Sequence, residues 1–167
     1  MKWMLAIFLL VASPIWPLGE NPIVGDPFLI VNVTTNQLSF FQDGQLVDTH
    51  SVATGKKGDE TPLGLYTIIV KAENPYYRKK NIPGGDPKNP LGSRWIGFDA
   101  NDTEGRTYGV HGTNRPDSIG KSVTAGCLRL PNELVEKLFE RVPLGTKILI
   151  TDSGEDFYAL AQKHGAI

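Results

Sequence analysis

Short apolar segments separated by turn-forming residues run along most of this chain, and this alternation restricts what it can fold into. Glycine occurs 18 times and proline 12 times in 167 residues. Both residues interrupt helices and mark turns. Asp43-Gly44, a strong two-residue hairpin signal, separates two such segments. The sequence therefore predicts a turn-rich, mostly β domain rather than a helical bundle.

Strands are predicted where β-branched and large apolar residues cluster between these turns. The first three form a meander joined by the Asp43-Gly44 hairpin. The predicted strands cover residues 28–33, 38–41, 45–54, 65–72, 94–98, 106–111 and 146–151.

One helix stands out by its periodicity, at residues 132–141. Its apolar residues recur at helical spacing, and charged residues occupy the opposite face. Asn132 is the predicted N-cap, and Pro143 and Gly145 end the helix. A second, short helix is expected at residues 155–163, within a C-terminal tail of residues 152–167.

Residues 73–93 contain four prolines and three glycines, and they show neither helical nor strand periodicity. A long irregular insert in a compact domain is usually functional or mobile. The alternative, a plain solvated excursion, remains equally open from the sequence.

The N-terminus has the features of an export leader. Lys2 provides a positive start, and residues 3–12 form an apolar run too short for a comfortable membrane span. Residues 1–20 are therefore predicted to be a signal peptide or N-terminal anchor, which would be the only route to membrane attachment. Lysine plus arginine total 17 and aspartate plus glutamate total 18, and this balance gives no reason to expect a nucleic-acid partner.

The single cysteine, Cys127, carries the strongest functional signal. An unpaired thiol in an exported protein is unusual, because oxidising compartments consume spare thiols. A cysteine acts as a nucleophile through its thiolate, which a neighbouring histidine usually generates. Of the three histidines, only His111 ends a predicted strand and enters a glycine-containing turn. Each residue alone has a bland interpretation, a buried thiol or a surface imidazole, but together they predict a catalytic pair.

Two further residues suit acyl transfer. Gly126, directly before the thiol, allows unusual backbone dihedrals and close approach of a substrate. Arg129 would share the face of Cys127 in a strand and place a cation beside the nucleophile.

Residues 111–132 open with His-Gly-Thr-Asn and contain Thr-Ala-Gly-Cys-Leu-Arg-Leu-Pro-Asn. This stretch resembles the signature of the L,D-transpeptidases, the YkuD-type catalytic domain. The resemblance covers residues 27–151 and includes Ala53-Thr54-Gly55, Thr61-Pro62-Leu63-Gly64, Leu91-Gly92 with Trp95, and Val142-Pro143-Leu144-Gly145-Thr146.

The resemblance implies a mostly β, sandwich-like fold of mixed sheets with one helix after the catalytic cysteine. It also implies a peptidoglycan L,D-transpeptidase, which takes stem peptides as donor and acceptor. Such an enzyme cleaves the stem tetrapeptide after its third residue, releases D-Ala and forms 3→3 cross-links. An L,D-carboxypeptidase and a non-catalytic wall-binding module are the alternatives.

Carried onto this chain, the family pattern makes Cys127 the nucleophile and His111 the general base. The carbonyl of Gly112 would orient the imidazole, and N–H groups around Gly126 and Cys127 would form an oxyanion hole. The further candidates for substrate binding are Arg129, Asn114, Tyr108 and Trp95.

One position departs from the family pattern, because Ala125 stands where many members carry histidine. No metal-ligand cluster or phosphate-binding loop is evident, so neither a metal nor a cofactor is predicted. The sequence leaves open the third stem residue, the balance between transfer and hydrolysis, leader cleavage and the oligomeric state.

Overall fold

A computed structural model describes residues 22–167 of the chain. The predicted leader, residues 1–20, lies outside the described residues. Within them no helix is long and apolar enough to cross a membrane. The strands are β1 (Phe28–Asn32), β2 (Gln37–Gln42), β3 (Gln45–Ser51), β4 (Thr54–Gly55), β5 (Gly64–Glu73), β6 (Arg94–Phe98), β7 (Tyr108–His111), β8 (Ser122–Thr124), β9 (Leu128–Arg129) and β10 (Lys147–Thr151); the helices are α1 (Asn132–Arg141) and α2 (Phe157–Lys163).

Eight of these strands form one curled mixed sheet in the order β3-β2-β1-β10-β5-β6-β7-β9. β4 and β8 form a separate two-stranded parallel sheet. The meander β1-β2-β3 is antiparallel, as the hairpin signal predicts. Two parallel pairs stand out, β1 with β10 and β7 with β9. The mostly β prediction is thus confirmed, as a mixed sheet with few helices.

β1 is buried on both faces, because successive side chains of a strand point to opposite sides. Leu29 and Val31 enter the main core, which α1 covers with Val135. Phe28 and Ile30 enter a second cluster on the other face, which α2 closes. Each such buried side chain contributes roughly 1.5–3 kcal/mol, so the two clusters hold the sheet between the helices.

The predicted helix at 132–141 and the strand at 94–98 coincide with α1 and β6. The predicted N-cap is wrong by one residue: Pro131 holds the cap position and Asn132 is already helical. The sequence pattern missed the three-residue strand β8, because a segment that short carries no measurable periodicity.

Candidate active site

The parallel pairing of β7 with β9 brings the histidine and the cysteine to one place. Val110 pairs with Leu128, and His111 pairs with Arg129. Cys127, directly before β9, therefore lies opposite the glycine two residues before His111. Because alternate residues share a face of the sheet, the imidazole and the thiol project from the same side.

The imidazole of His111 is buried, with 4% of the residue exposed, and fixed from two directions. Its Nδ1 lies 2.6 Å from the carbonyl oxygen of Gly112. Because a carbonyl only accepts hydrogen bonds, Nδ1 carries the proton and Nε2 remains the basic nitrogen of the neutral ring. Trp95 stacks on the imidazole with ring centroids 5.5 Å apart and planes 17° apart.

Burial lowers the pKa of His111 to about 4. The hydrogen bond to the Gly112 carbonyl acts to raise this pKa, and the positive charge of Arg129 acts to lower it further. The Leu91 carbonyl acts in the same direction as that of Gly112. The imidazole is therefore neutral at physiological pH and able to accept a proton.

The thiol of Cys127 is half-buried and forms no disulfide. Its Sγ donates to the carbonyl of Thr107 at 3.3 Å. Burial raises the pKa of the Cys127 thiol, while the Gly109 N–H, Lys79 and Arg129 act to lower it. The resting pair is thus a neutral thiol beside a neutral imidazole, rather than a preformed thiolate.

Gly126 has a positive φ of 105°, which disfavours any side chain at this position. A Cβ there would also lie 2.9 Å from the ring of Tyr108. The Gly126 N–H donates to Thr124 Oγ1 at 3.1 Å, and the Thr124 hydroxyl donates to the carbonyl of Cys127 at 2.6 Å. The predicted oxyanion role of the Gly126 N–H does not fit this arrangement, because that N–H already has a partner.

Arg129 is held at its backbone on both sides. Its N–H and carbonyl exchange hydrogen bonds with Ala53 at 3.0 Å each. On the other side, the pairing with His111 continues to Leu130, whose N–H donates to the His111 carbonyl at 2.9 Å. The half-buried guanidinium of Arg129 therefore extends from a backbone that hydrogen bonds hold on both sides.

An open cavity of about 390 Å³ contains both reactive groups. Among the predicted residues, His111, Cys127, Arg129 and Asn114 line it. Trp95 and Tyr108 do not line it. Trp95 stacks on the imidazole, and its Nε1 donates to the Gly105 carbonyl at 2.8 Å. Contact of Trp95 and Tyr108 with the substrate stays a prediction.

Part of the cavity lining comes from residues 74–93, here called the strap. The backbones of Tyr77 and Ile82 bond to each other within it. Asn89, only 2% exposed, donates to the carbonyls of Pro75 at 2.8 Å and Pro83 at 3.0 Å. Asn114 donates from the catalytic segment to the Lys88 carbonyl at 3.0 Å. The strap is thus an internally bonded element that lines the cavity, and a functional role for it stays a prediction.

Asn132, at the start of α1, joins the strap to the turn after His111. Its Oδ1 accepts from the N–H of Thr113 at 3.1 Å and from the N–H of Ser93 at 3.3 Å. A Cβ on Gly112 would lie 2.1 Å from the same oxygen. A side chain at position 112 would therefore displace the amide of Asn132, whose contacts hold the turn after His111.

Sequence reasoning missed the basic residues of the cavity wall. The cluster of lysines in the strap is visible in the sequence, but the sequence does not predict that these residues lie near the thiol. These residues are Lys79, Lys80, Lys88 and Arg115. Among residues 22–167, no group of three or more His, Cys, Asp or Glu residues could hold a metal ion.

Residues 26–150, which contain the whole site, match the YkuD family, described as the L,D-transpeptidase catalytic domain. The chain belongs to this family. It is 54% identical to the putative L,D-transpeptidase YqjB of Bacillus subtilis (strain 168) over 167 residues, which is 100% of this chain and 95% of that protein.

Solved L,D-transpeptidases share the fold. The enzyme from Mycobacterium smegmatis superposes with a TM-score of 0.62 at 21% identity, over 76% of this chain and 59% of that chain. L,D-transpeptidase 3 from Mycobacterium tuberculosis, in complex with a faropenem-derived adduct, superposes with a TM-score of 0.61 at 18% identity, over 76% of this chain and 60% of that chain. This chain spans about three fifths of the length of those two chains.

Proposed function

We propose that this L,D-transpeptidase family member uses Cys127 to cleave the stem tetrapeptide of peptidoglycan after its third residue, release D-Ala and form a 3→3 cross-link. One observation carries the proposal. An open cavity holds the thiol together with a neutral imidazole whose Nδ1 is committed to the Gly112 carbonyl. A nucleophile, a base and an orienting acceptor are the parts that acyl transfer through a thioester requires.

In the first step, Cys127 Sγ attacks the carbonyl carbon of the third stem residue, and its proton passes to Nε2 of His111. The imidazolium formed is stabilised by the carbonyls of Gly112 and Leu91, which favour the protonated ring. Nε2 then gives the proton to the departing amine of D-Ala. The C–N bond breaks and a thioester to Cys127 remains.

The negative charge on the tetrahedral oxygen requires a hydrogen-bond donor. The Gly126 N–H is already bonded to Thr124. The Cys127 N–H has no hydrogen-bond partner among residues 22–167, which makes it the donor we assign to this charge. The positive φ of Gly126 sets the direction of the peptide plane that carries this N–H.

In the second step, the side-chain amine of the third residue of another stem attacks the thioester. His111 takes the proton of that amine, the C–S bond breaks and the thiol is restored. A second cavity of about 200 Å³ adjoins the first and shares Arg115 and Arg129 with it. We assign the acceptor stem to this second cavity, and its position next to the first supports transfer as the proposed outcome.

The proposed substrate is a component of the cell wall, which lies outside the cytoplasm. We propose that residues 1–20 direct export and that the protein acts at the cell wall, either secreted or held by an uncleaved leader. The positive start and short apolar run of these residues support the proposal.

Mass spectrometry of products from a disaccharide-tetrapeptide tests the reaction. We expect a cross-linked dimer and free D-Ala with the wild-type protein, and neither product with Cys127→Ala. Tripeptide without dimer would assign the protein as a carboxypeptidase, and unchanged substrate would contradict an enzymatic role.

Carbapenem acylation tests the nucleophile separately from the substrate. We expect the intact protein to gain the mass of one carbapenem, and Cys127→Ala to remain unmodified. The same adduct on Cys127→Ala would show that Cys127 is not the nucleophile.

A further inference from the structure

A third cavity, of about 300 Å³, lies outside the active site, between α1 and the strands β2 and β3. It shares no lining residue with the two cavities described above. Leu130 connects the two regions, because it lines the third cavity while its N–H donates to the His111 carbonyl at 2.9 Å. The third cavity is therefore close to the catalytic strands but separate from the reacting groups.

The floor of this third cavity is apolar. Leu38, Phe40 and Leu130 line it and are each at most 2% exposed. Leu134 and Leu138 line it from α1. The cavity lies at the lower end of the size range of small-molecule sites, and it is roughly twice as large as an engineered cavity of about 150 Å³ that binds benzene. A hydrocarbon chain therefore fits, and removal of its surface from water favours binding.

Charged side chains surround this apolar floor, and all but one of the charges are balanced within the described residues. Arg141 donates to Gln42 Oε1 at 2.9 Å and lies 4.0 Å from the carboxylate of Asp48, which also lines the cavity. Lys137, one turn earlier on α1, is exposed and takes part in no ion pair among residues 22–167. The glutamates of α1 do not line the cavity. One uncompensated positive charge therefore lies at its rim.

We propose that the third cavity binds a medium-chain fatty acid. The hydrocarbon chain lies on the leucine floor, and the carboxylate accepts a charge-assisted hydrogen bond from Nζ of Lys137. His50, on β3, also lines the cavity and supplies a second N–H donor. The apolar floor disfavours a purely polar anion, and the cation at the rim disfavours an alkylammonium ion.

Two-dimensional NMR of the isotope-labelled full-length protein, titrated with octanoate, tests the proposal. We expect saturable shifts of the backbone amides of Leu130, Leu134 and His50. Hexanoate should bind about fifteenfold more weakly, because each of the two missing methylenes is worth about fourfold in affinity. Octanol should bind about threefold more weakly than octanoate, since an exposed charge pair adds little. Octylamine should bind more weakly than octanol.

Variants locate the charge preference and the apolar contact separately. Lys137→Gln should remove the preference for octanoate over octanol and leave the affinity for octanol unchanged. Its matched control is Lys163→Gln, on α2, which lines none of the three cavities and should keep the preference. Leu134→Gln should weaken both ligands about tenfold, whereas Leu144→Gln, at an exposed position outside the cavities, should not. Circular dichroism checks the fold of each variant.

Three results would overturn the proposal. Equal affinities for hexanoate and octanoate would show that the floor does not bury the chain. Equal affinities for octanoate and octylamine, or a preference that persists in Lys137→Gln, would show that Lys137 does not select the carboxylate. Saturable shifts centred on His111 instead would place the ligand in the active site. The titration involves no peptidoglycan, so its outcome is independent of the transpeptidase proposal.

Discussion

His111 and Cys127 meet as neutral groups, and this decides how the reaction depends on pH. The pKa of His111 is lowered to about 4 by burial, and burial raises the pKa of the Cys127 thiol. At neutral pH the imidazole is therefore an unprotonated base and the thiol keeps its proton. In the proposed mechanism, proton transfer to His111 is therefore coupled to attack on the carbonyl, and no preformed thiolate is needed.

Carbapenem acylation should therefore be nearly independent of pH between about pH 5.5 and 8, because both groups keep their reactive form there. Below this range the rate should fall to half near pH 4, as His111 becomes protonated. In His111→Ala the rate at pH 7 should drop by roughly 10²–10⁴-fold. It should then rise about tenfold per pH unit, since only the thiolate fraction reacts. Intact-protein mass spectrometry against time gives both profiles.

Stability limits the acidic end of this test. The folded pKa of His111 lies below its unfolded value of 6.5, so the unfolded chain binds more protons between these values. The contribution of His111 to the free energy of unfolding is therefore fully present above pH 6.5 and is lost as the pH falls toward 4. Circular dichroism at each pH serves as the control. A wild-type rate that rose tenfold per pH unit from pH 6 to 8 would contradict the neutral pair.

At the scale of elements, the first turn of α1 holds the catalytic turn and the end of the strap together. The contacts of Asn132 with Thr113 and Ser93 achieve this. The helix that follows Cys127 in sequence thus holds the turn at Gly112, directly after His111. Asn132 itself contacts neither Cys127 nor the imidazole. We class it as a positioning residue.

Asn132→Ala should lower the acylation rate about tenfold, because the Gly112 carbonyl loses its fixed position relative to the imidazole. Unfolding free energy should fall by only about 1 kcal/mol, the usual net value of a hydrogen bond. Asn132→Asp keeps an acceptor oxygen and should restore most of the rate. Glu133→Gln, on the same helical turn, should leave the acylation rate unchanged. Equal loss of rate in the alanine and aspartate variants would contradict a positioning role.

Elements with clear periodicity were predictable from the sequence, and contacts between distant elements were not. The amphipathic repeat of Leu134 and Leu138 identified α1 correctly. The position of Asn132 followed local capping preference, but its side chain accepts from two distant loops instead. Trp95 and Tyr108 are candidates for substrate binding through the family resemblance, and in the structure Trp95 stacks on His111 while Tyr108 lies beside Gly126. Only the strand order determines which side of the site they occupy.

At the scale of the whole molecule, the two cavities match a reaction with two substrates. The larger one contains the thiol and imidazole, and the smaller one meets it at Arg115 and Arg129. Because the smaller cavity contains neither reactive group, its occupancy should affect which acceptor resolves the thioester, and not how the thioester forms. The branching between transfer and hydrolysis is therefore separable from acylation.

Val123→Trp should separate them. Val123 lines the smaller cavity but not the larger one, and it is 45% exposed. A larger side chain at this position can therefore fill the smaller cavity without entering the core. The ratio of cross-linked dimer to tripeptide should fall about tenfold, the discrimination that loss of a fitting site typically produces. D-Ala release and carbapenem acylation should stay close to wild type. Leu144→Trp, at an exposed position that lines neither cavity, controls for added surface bulk. An unchanged ratio of dimer to tripeptide in Val123→Trp would show that the acceptor stem does not use the smaller cavity. Filling that cavity would then have left the access of the acceptor amine to the thioester unaltered.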